Sequence, residues 1–242
     1  IDPINGYRCS NDNTIGDVAV NRNHITGRTK NEGTGRDHDV KIPIRCLAGF
    51  ICPGQSRNGS NNYEHDGTFN YVPHFHPERL YKKLPETKGD QFIWVGSSGD
   101  ISFINQENME LIFEKIKSNP DKTFFLQTKN PGFFQDSSFP KNTMLGITME
   151  SNVHYLKIST APAPWKRAVE FYFVEHPSKV ITIEPILKFD FCKILGWIRD
   201  IRPERVYIGY DSKQNKLPEP KLEKVEKFSV ELEKLGIKVK RK

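Results

Sequence analysis

The run Thr143-Met144-Leu145-Gly146-Ile147-Thr148-Met149-Glu150 is the strongest indication of the fold, because a short apolar stretch ends abruptly in a carboxylate. Both faces of the run are apolar, which is typical of a parallel strand covered by helices. Similar runs recur along the chain, at residues 91–96, 123–127, 180–184, 205–209 and 236–239. The pattern predicts a sheet of about six parallel strands.

Stretches with apolar residues at helical spacing separate these runs. They cover residues 77–84, 105–118, 163–175, 189–201 and 219–235. Strands that alternate with helices predict an α/β protein built from right-handed βαβ units. No glycine-rich dinucleotide or phosphate-binding motif follows any strand. We therefore expect a partial or complete (β/α) barrel instead of an open doubly wound sheet.

The chain divides by composition into two regions. Residues 1–72 are rich in Asn, Gly, Arg, Ser and Asp, and only one short strand, near residues 39–45, is predicted there. Residues 73–242 carry the regular pattern. We expect a loop-rich N-terminal region, 1–72, followed by a partial (β/α) barrel, 73–242.

Composition excludes a membrane protein. The 242 residues have 36% hydrophobic side chains, a formal charge of +6 and a mean hydropathy of -0.61. No run approaches the roughly 18 apolar residues that a spanning helix needs, and the first residues lack a signal-peptide pattern. We expect a cytoplasmic protein whose four cysteines are free thiols or metal ligands.

The charge is concentrated at the C-terminus. Residues 213–242 contain ten Lys or Arg and five Glu, a net charge of +5. Two interpretations stay open. The charges can form the solvated face of a helix, or they can contact a polyanion such as nucleic acid.

Polar residues follow each predicted strand. They are Ser97, Ser98 and Asp100, then Gln127, Lys129 and Asn130, then Thr148, Glu150 and Asn152, then Glu184, and finally Asp211 and Ser212. Since the carboxyl ends of parallel barrel strands lie at one end, we expect these side chains to face one mouth. The alternative for Asp100, Asn130, Asn152 and Asp211 is helix capping or a turn. Proline follows Glu184, so that carboxylate is expected to point inward.

His74 and His76 are separated by one residue, a spacing that could hold a divalent metal in a hydrolase. Because Pro77 follows, the other interpretation places His76 at a helix cap and His74 in a loop.

Six segments together resemble a protein family of phages, bacteria and archaea that is related to radical S-adenosylmethionine (SAM) enzymes, mostly with unassigned substrates. The segments are Phe75-His76-Pro77-Glu78-Arg79-Leu80, Val95-Gly96-Ser97-Ser98-Gly99-Asp100, Leu126-Gln127-Thr128-Lys129-Asn130-Pro131, residues 145–152, Thr182-Ile183-Glu184-Pro185-Ile186, and residues 208–213 with Leu217-Pro218-Glu219-Pro220. The resemblance covers residues 73–242.

The resemblance implies a [4Fe–4S] cluster, SAM and 5′-deoxyadenosyl radical chemistry, supplied with an electron by a donor protein. Family members carry Cys-x3-Cys-x2-Cys, which holds three irons of the cluster. Here, counting from Cys46, Phe50 and Pro53 occupy the second and third positions, and Cys52 is displaced by one. Cys46 and Cys52 remain as candidate ligands, with Cys9 as a third.

The same resemblance implies cofactor-binding, substrate-binding and catalytic roles for the residues after the strands. The cofactor-binding residues are Ser97, Ser98, Asp100, Glu150, Asn152, Asp211 and Ser212. Gln127 and Thr148 contact the unknown substrate, and Lys129 and Glu184 are the catalytic pair. A second hypothesis is a relative without a cluster that binds nucleic acid or a partner protein through its basic C-terminal helix and its loops rich in Arg and Asn. A third is a metal-dependent hydrolase that uses His74 and His76.

Overall fold

A computed structural model describes residues 51–53, 73–96, 99–135, 138–212 and 215–241, and the side chains of all of these except 51–53, 73 and 74. The strand expected near residues 39–45 lies outside this part. The described chain is mixed α/β. A two-stranded antiparallel sheet pairs β1 (Ile51–Pro53) with β2 (Pro73–Phe75).

Six parallel strands form the main sheet, in sequence order from edge to edge. They are β3 (Ile93–Val95), β4 (Phe124–Thr128), β5 (Thr143–Thr148), β6 (Lys179–Ile183), β7 (Arg205–Ile208) and β8 (Lys238–Arg241). The predicted number and parallel direction of these strands are confirmed, and each begins within two residues of its predicted position. The order is that of successive βαβ units.

Four α-helices lie between the strands. They are α1 (Gln106–Lys117), α2 (Pro164–Tyr172), α3 (Phe191–Ile201) and α4 (Leu222–Lys234). Two begin at a side-chain cap, where Asn105 accepts from the Asn108 amide and Asp190 accepts from the Lys193 amide, each at 2.9 Å. Pro164 opens α2, a position where its missing N–H costs nothing.

The prediction of a helix over residues 77–84 is wrong. Only a 3₁₀ turn forms, Pro77–Arg79, with His76 as its N-terminal cap residue. Pro85 disfavours helical backbone at Leu84, and no apolar stripe secures the intervening residues.

The described chain forms two compact units. The first contains the described residues within 149–174 and 181–241 and is called the C-terminal unit; the second contains those within 51–148 and 175–180 and is called the central unit. In the C-terminal unit, Ile181, Val206 and Ile208 meet Trp197 and Phe228 in a core that is at most 2% exposed.

The core of the central unit is built in the same way. Leu126, Leu145 and Ile147 of the strands and Ile112 and Ile116 of α1 are at most 1% exposed. Gly146 is required here, because a Cβ at this position would lie 2.3 Å from the Phe125 ring. No described helix is long and apolar enough to cross a bilayer.

Candidate functional site

Asp100 connects the end of β3 to the end of β4 in the central unit. Its carboxylate accepts from the Ser102 amide at 3.0 Å, from the Ser102 hydroxyl at 2.8 Å and from the Lys129 amide at 2.7 Å. The Thr128 hydroxyl is a further donor. These bonds match the capping interpretation of Asp100, and they fix the backbone of Lys129.

Gln127 and Thr148 lie side by side on adjacent strands. The Gln127 amide donates to the Thr148 hydroxyl at 2.7 Å. The other amide atom, Oε1, is buried and has no hydrogen-bond partner among the described residues. A buried acceptor of this kind is available to a ligand that brings an N–H or O–H donor.

Asn130 is the cap residue of a 3₁₀ turn, Pro131–Phe134, but its side chain makes no capping bond. Its backbone amide instead donates to the Thr128 hydroxyl at 2.8 Å. Ser97 and Ser98, predicted to bind SAM, lie outside the described residues.

Glu150 forms a buried ion pair in the C-terminal unit. Its carboxylate accepts from Arg167 of α2 at 2.8 Å, and the two side chains are 9% and 4% exposed. The Glu150 carbonyl accepts from the Leu187 amide at 2.9 Å, and Asn152 Oδ1 accepts from the Asp190 amide at 2.8 Å. Both residues therefore hold the segment after β5 against the segment that leads into α3.

Glu184 extends beyond the end of β6 and crosses Gly209, the residue after β7. A Cβ at Gly209 would lie 3.0 Å from the Glu184 carboxyl carbon. The two loops are joined by the Ile186 amide, which donates to the Gly209 carbonyl at 2.8 Å. Glycine at position 209 is thus what permits this path for the carboxylate.

Asp211 closes a turn, as its alternative interpretation predicted. Its carboxylate accepts from the backbone and side-chain amides of Asn215, and its own amide donates to Glu219. Ser212 is exposed beside it. Burial, followed by the nearby carboxylates of Glu219, Glu223 and Glu226, raises the pKa of the neighbouring Tyr210.

The polar residues form two groups, each within its own unit. Asp100, Gln127, Lys129 and Thr148 belong to the central unit, and Glu150, Asn152, Glu184 and Asp211 belong to the C-terminal unit. In both groups, hydrogen bonds join side chains from different strand ends to the loops around them. The single mouth expected for all of them stays a prediction.

The cysteines do not match the donor set that a [4Fe–4S] cluster needs. Cys9 and Cys46 lie outside the described residues, as does the side chain of Cys52. Cys192, at the start of α3, is disulfide-bonded, which corrects the expectation of a free thiol there. Counting from Cys46, Phe50 and Pro53 stand at the other two positions of the cluster motif, and neither side chain can bind iron.

The histidine pair gives no metal site within the described part of the chain. His76 Nδ1 lies 3.1 Å from Glu78, while the His74 side chain lies outside that part. No group of three or more His, Cys, Asp or Glu suited to a metal occurs among the described side chains. The cap position of His76 agrees with its non-metal interpretation.

Strand β8 carries a basic surface. The sequence analysis counted the basic residues of 213–242 together and did not single out those that lie on this strand. Strand β8 is an edge strand and pairs with β7 in the register Arg205–Lys238 and Tyr207–Lys240. Lys238, Lys240 and Arg241 are exposed. The signal was present in the alternation of Lys238-Val239-Lys240, which places both lysines on one face.

Comparisons with known proteins do not assign the chain to a family. No protein-family model, no curated protein and no solved structure significantly matches the chain. The class that the observations define is therefore structural: a parallel α/β protein with polar strand ends and a basic sheet edge.

Proposed function

We propose that this protein binds nucleic acid through its C-terminal sheet edge and needs no iron–sulfur cluster to do so. The observation that carries the proposal is the exposure of Lys238, Lys240 and Arg241 on one edge strand. Cations presented together on a rigid strand can neutralise several phosphates and release their counterions.

The charge of β8 is only partly neutralised by its surroundings. Arg241 lies 3.8 Å from Glu226 of α4, and Glu231 of the same helix pairs with Lys234 at 2.7 Å. Lys238 and Lys240 make no ion pair with any described residue. They are thus the two cations best placed to meet phosphate.

Basic side chains on an edge strand have a second physical role, since they discourage pairing with another chain. That role alone predicts no affinity for polyanions. Binding of an oligonucleotide with a steep dependence on salt therefore distinguishes the two interpretations.

The radical SAM enzyme, with its cluster, SAM and electron donor, remains a prediction of the resemblance. The donor count at the cysteines supports a relative without a cluster instead. The catalytic roles of Lys129 and Glu184 belong to the radical SAM prediction alone. The metal-dependent hydrolase and the cytoplasmic location likewise stay predictions.

The test is fluorescence anisotropy with a labelled oligonucleotide over a salt series. The double charge reversal K238E/K240E should weaken binding and flatten the plot of log affinity against log salt by roughly 0.7 per lost phosphate contact. The matched control is K82E/K83E, which makes the same charge change on two exposed lysines of the central unit. Equal losses in both variants, or no binding by the wild type, contradict the proposal.

A further inference from the structure

One face of β7 and β8 combines an aromatic ring with basic side chains, and we call it the Tyr207 face. It consists of Arg205 and Tyr207 of β7 and Lys238 and Lys240 of β8. Val206 and Ile208, between them, are at most 2% exposed and point into the core. Arg241 lies on the α4 side, beside Glu226, so Lys238 and Lys240 point to the opposite side.

We propose that the Tyr207 face binds single-stranded nucleic acid, with an unstacked base on the Tyr207 ring and phosphates at Lys238 and Lys240. The inference rests on the proposed function and deepens it by naming the kind of strand. Tyr207 is partly exposed, whereas the two lysines are exposed.

The register places the two kinds of contact at neighbouring positions. Lys240 is paired with Tyr207 and Lys238 with Arg205. Paired residues on adjacent strands are separated by about 4.8 Å. A base on the ring therefore has its own phosphodiester within reach of a long lysine side chain.

The chemistry favours an open strand over a duplex. In a duplex, the faces of the bases are covered by their neighbours, so a ring on a flat sheet has only phosphates and groove edges to contact. In a single strand, each base offers a π-face, and stacking tolerates any sequence. The aromatic ring would add nothing to duplex binding.

Arg205 is the buried member of this face. It is 6% exposed, and its Nε donates to Glu204 at 3.1 Å. Burial opposes its charge, but hydrogen bonds to Glu204 and to Tyr207 outweigh it and hold the pKa of Arg205 above its ordinary value. The guanidinium thus contacts both neighbouring side chains, and its Nη1 is buried without a hydrogen-bond partner among the described residues.

The experiment compares wild type, Y207L and Y207F on three probes of equal length. They are an oligothymidylate of about 16 nucleotides, the upper end of a single-strand site, an abasic strand, and a duplex. Y207L should lose roughly 5- to 100-fold in affinity for oligothymidylate and nothing for the duplex. Y207F should retain the wild-type affinity, and the slope against salt should be the same for all three proteins.

The abasic strand tests the inference on the wild-type protein, so this test remains valid even if Y207L folds poorly. We expect it to bind more weakly than oligothymidylate by a factor similar to that of Y207L. If the abasic strand and the duplex bind as tightly as oligothymidylate, stacking on Tyr207 is overturned while the proposed function stands. If none of the probes binds, both the stacking on Tyr207 and the proposed function are overturned.

Discussion

His176 is half-buried among polar groups in the central unit. Its Nδ1 lies 3.2 Å from the Ser178 amide nitrogen and 3.1 Å from the Ser178 carbonyl oxygen, and its Nε2 lies 3.2 Å from the Thr143 hydroxyl oxygen. That hydroxyl donates in turn to the Pro140 carbonyl at 2.6 Å. Burial and, to a smaller extent, the charge of Lys179 lower the pKa of His176, and they outweigh its backbone hydrogen bonds.

This arrangement predicts a loss of stability in acid. Because the pKa of His176 is lower in the folded than in the unfolded chain, its contribution is complete above about pH 6.5 and is lost as the pH falls below that value. Urea unfolding should give a lower midpoint at about pH 5.5 than at about pH 7.5. H176Q should remove part of that difference, and a difference unchanged by H176Q would contradict the assignment.

At the scale of elements, the strands were predictable and the short N-terminal helix was not. Runs apolar on both faces identify buried parallel strands directly, since few other elements bury both faces within five or six residues. The segment 77–84 has Pro77 at its start, as helices often do, but lacks the buried stripe that stabilises α1. Capping signals alone do not sustain a helix.

The residues after the strands were located by the sequence, but their partners were not. Asp100 satisfies the expected capping role, yet its bonds to Thr128 and Lys129 join positions that are distant in sequence. Arg167 was not recognised as the partner of Glu150, because its position on α2 resembles that of any helical arginine. Tertiary pairing of this kind is invisible in periodicity.

The Glu150–Arg167 pair should be important for holding the segment after β5 against α2 within the C-terminal unit. Removal of one partner leaves a buried charge, so E150A should lower the free energy of unfolding by about 3–5 kcal/mol. The isosteric apolar double variant E150L/R167M should recover most of that loss. Urea denaturation measures both. A cost for E150A below about 1 kcal/mol, the range of exposed pairs, would contradict burial of the pair.

At the scale of the whole molecule, the cysteines separate a protein with a cluster from one without. A disulfide at Cys192 leaves two thiols, so alkylation in denaturant without reductant should modify two cysteines, and all four after reduction. Mass spectrometry counts the adducts. Four adducts before reduction would restore the free-thiol expectation, which suits a reducing cytoplasm better.

Nucleic-acid binding without an iron–sulfur cluster is the main proposal for this chain. Its sharpest test is the affinity of anaerobically purified wild-type protein for oligothymidylate between about 50 and 200 mM salt, with iron and sulfide determined in the same sample. We expect affinity that falls steeply with salt in protein that contains no bound iron. Stoichiometric iron and sulfide together with affinity that is absent or independent of salt would contradict the proposal.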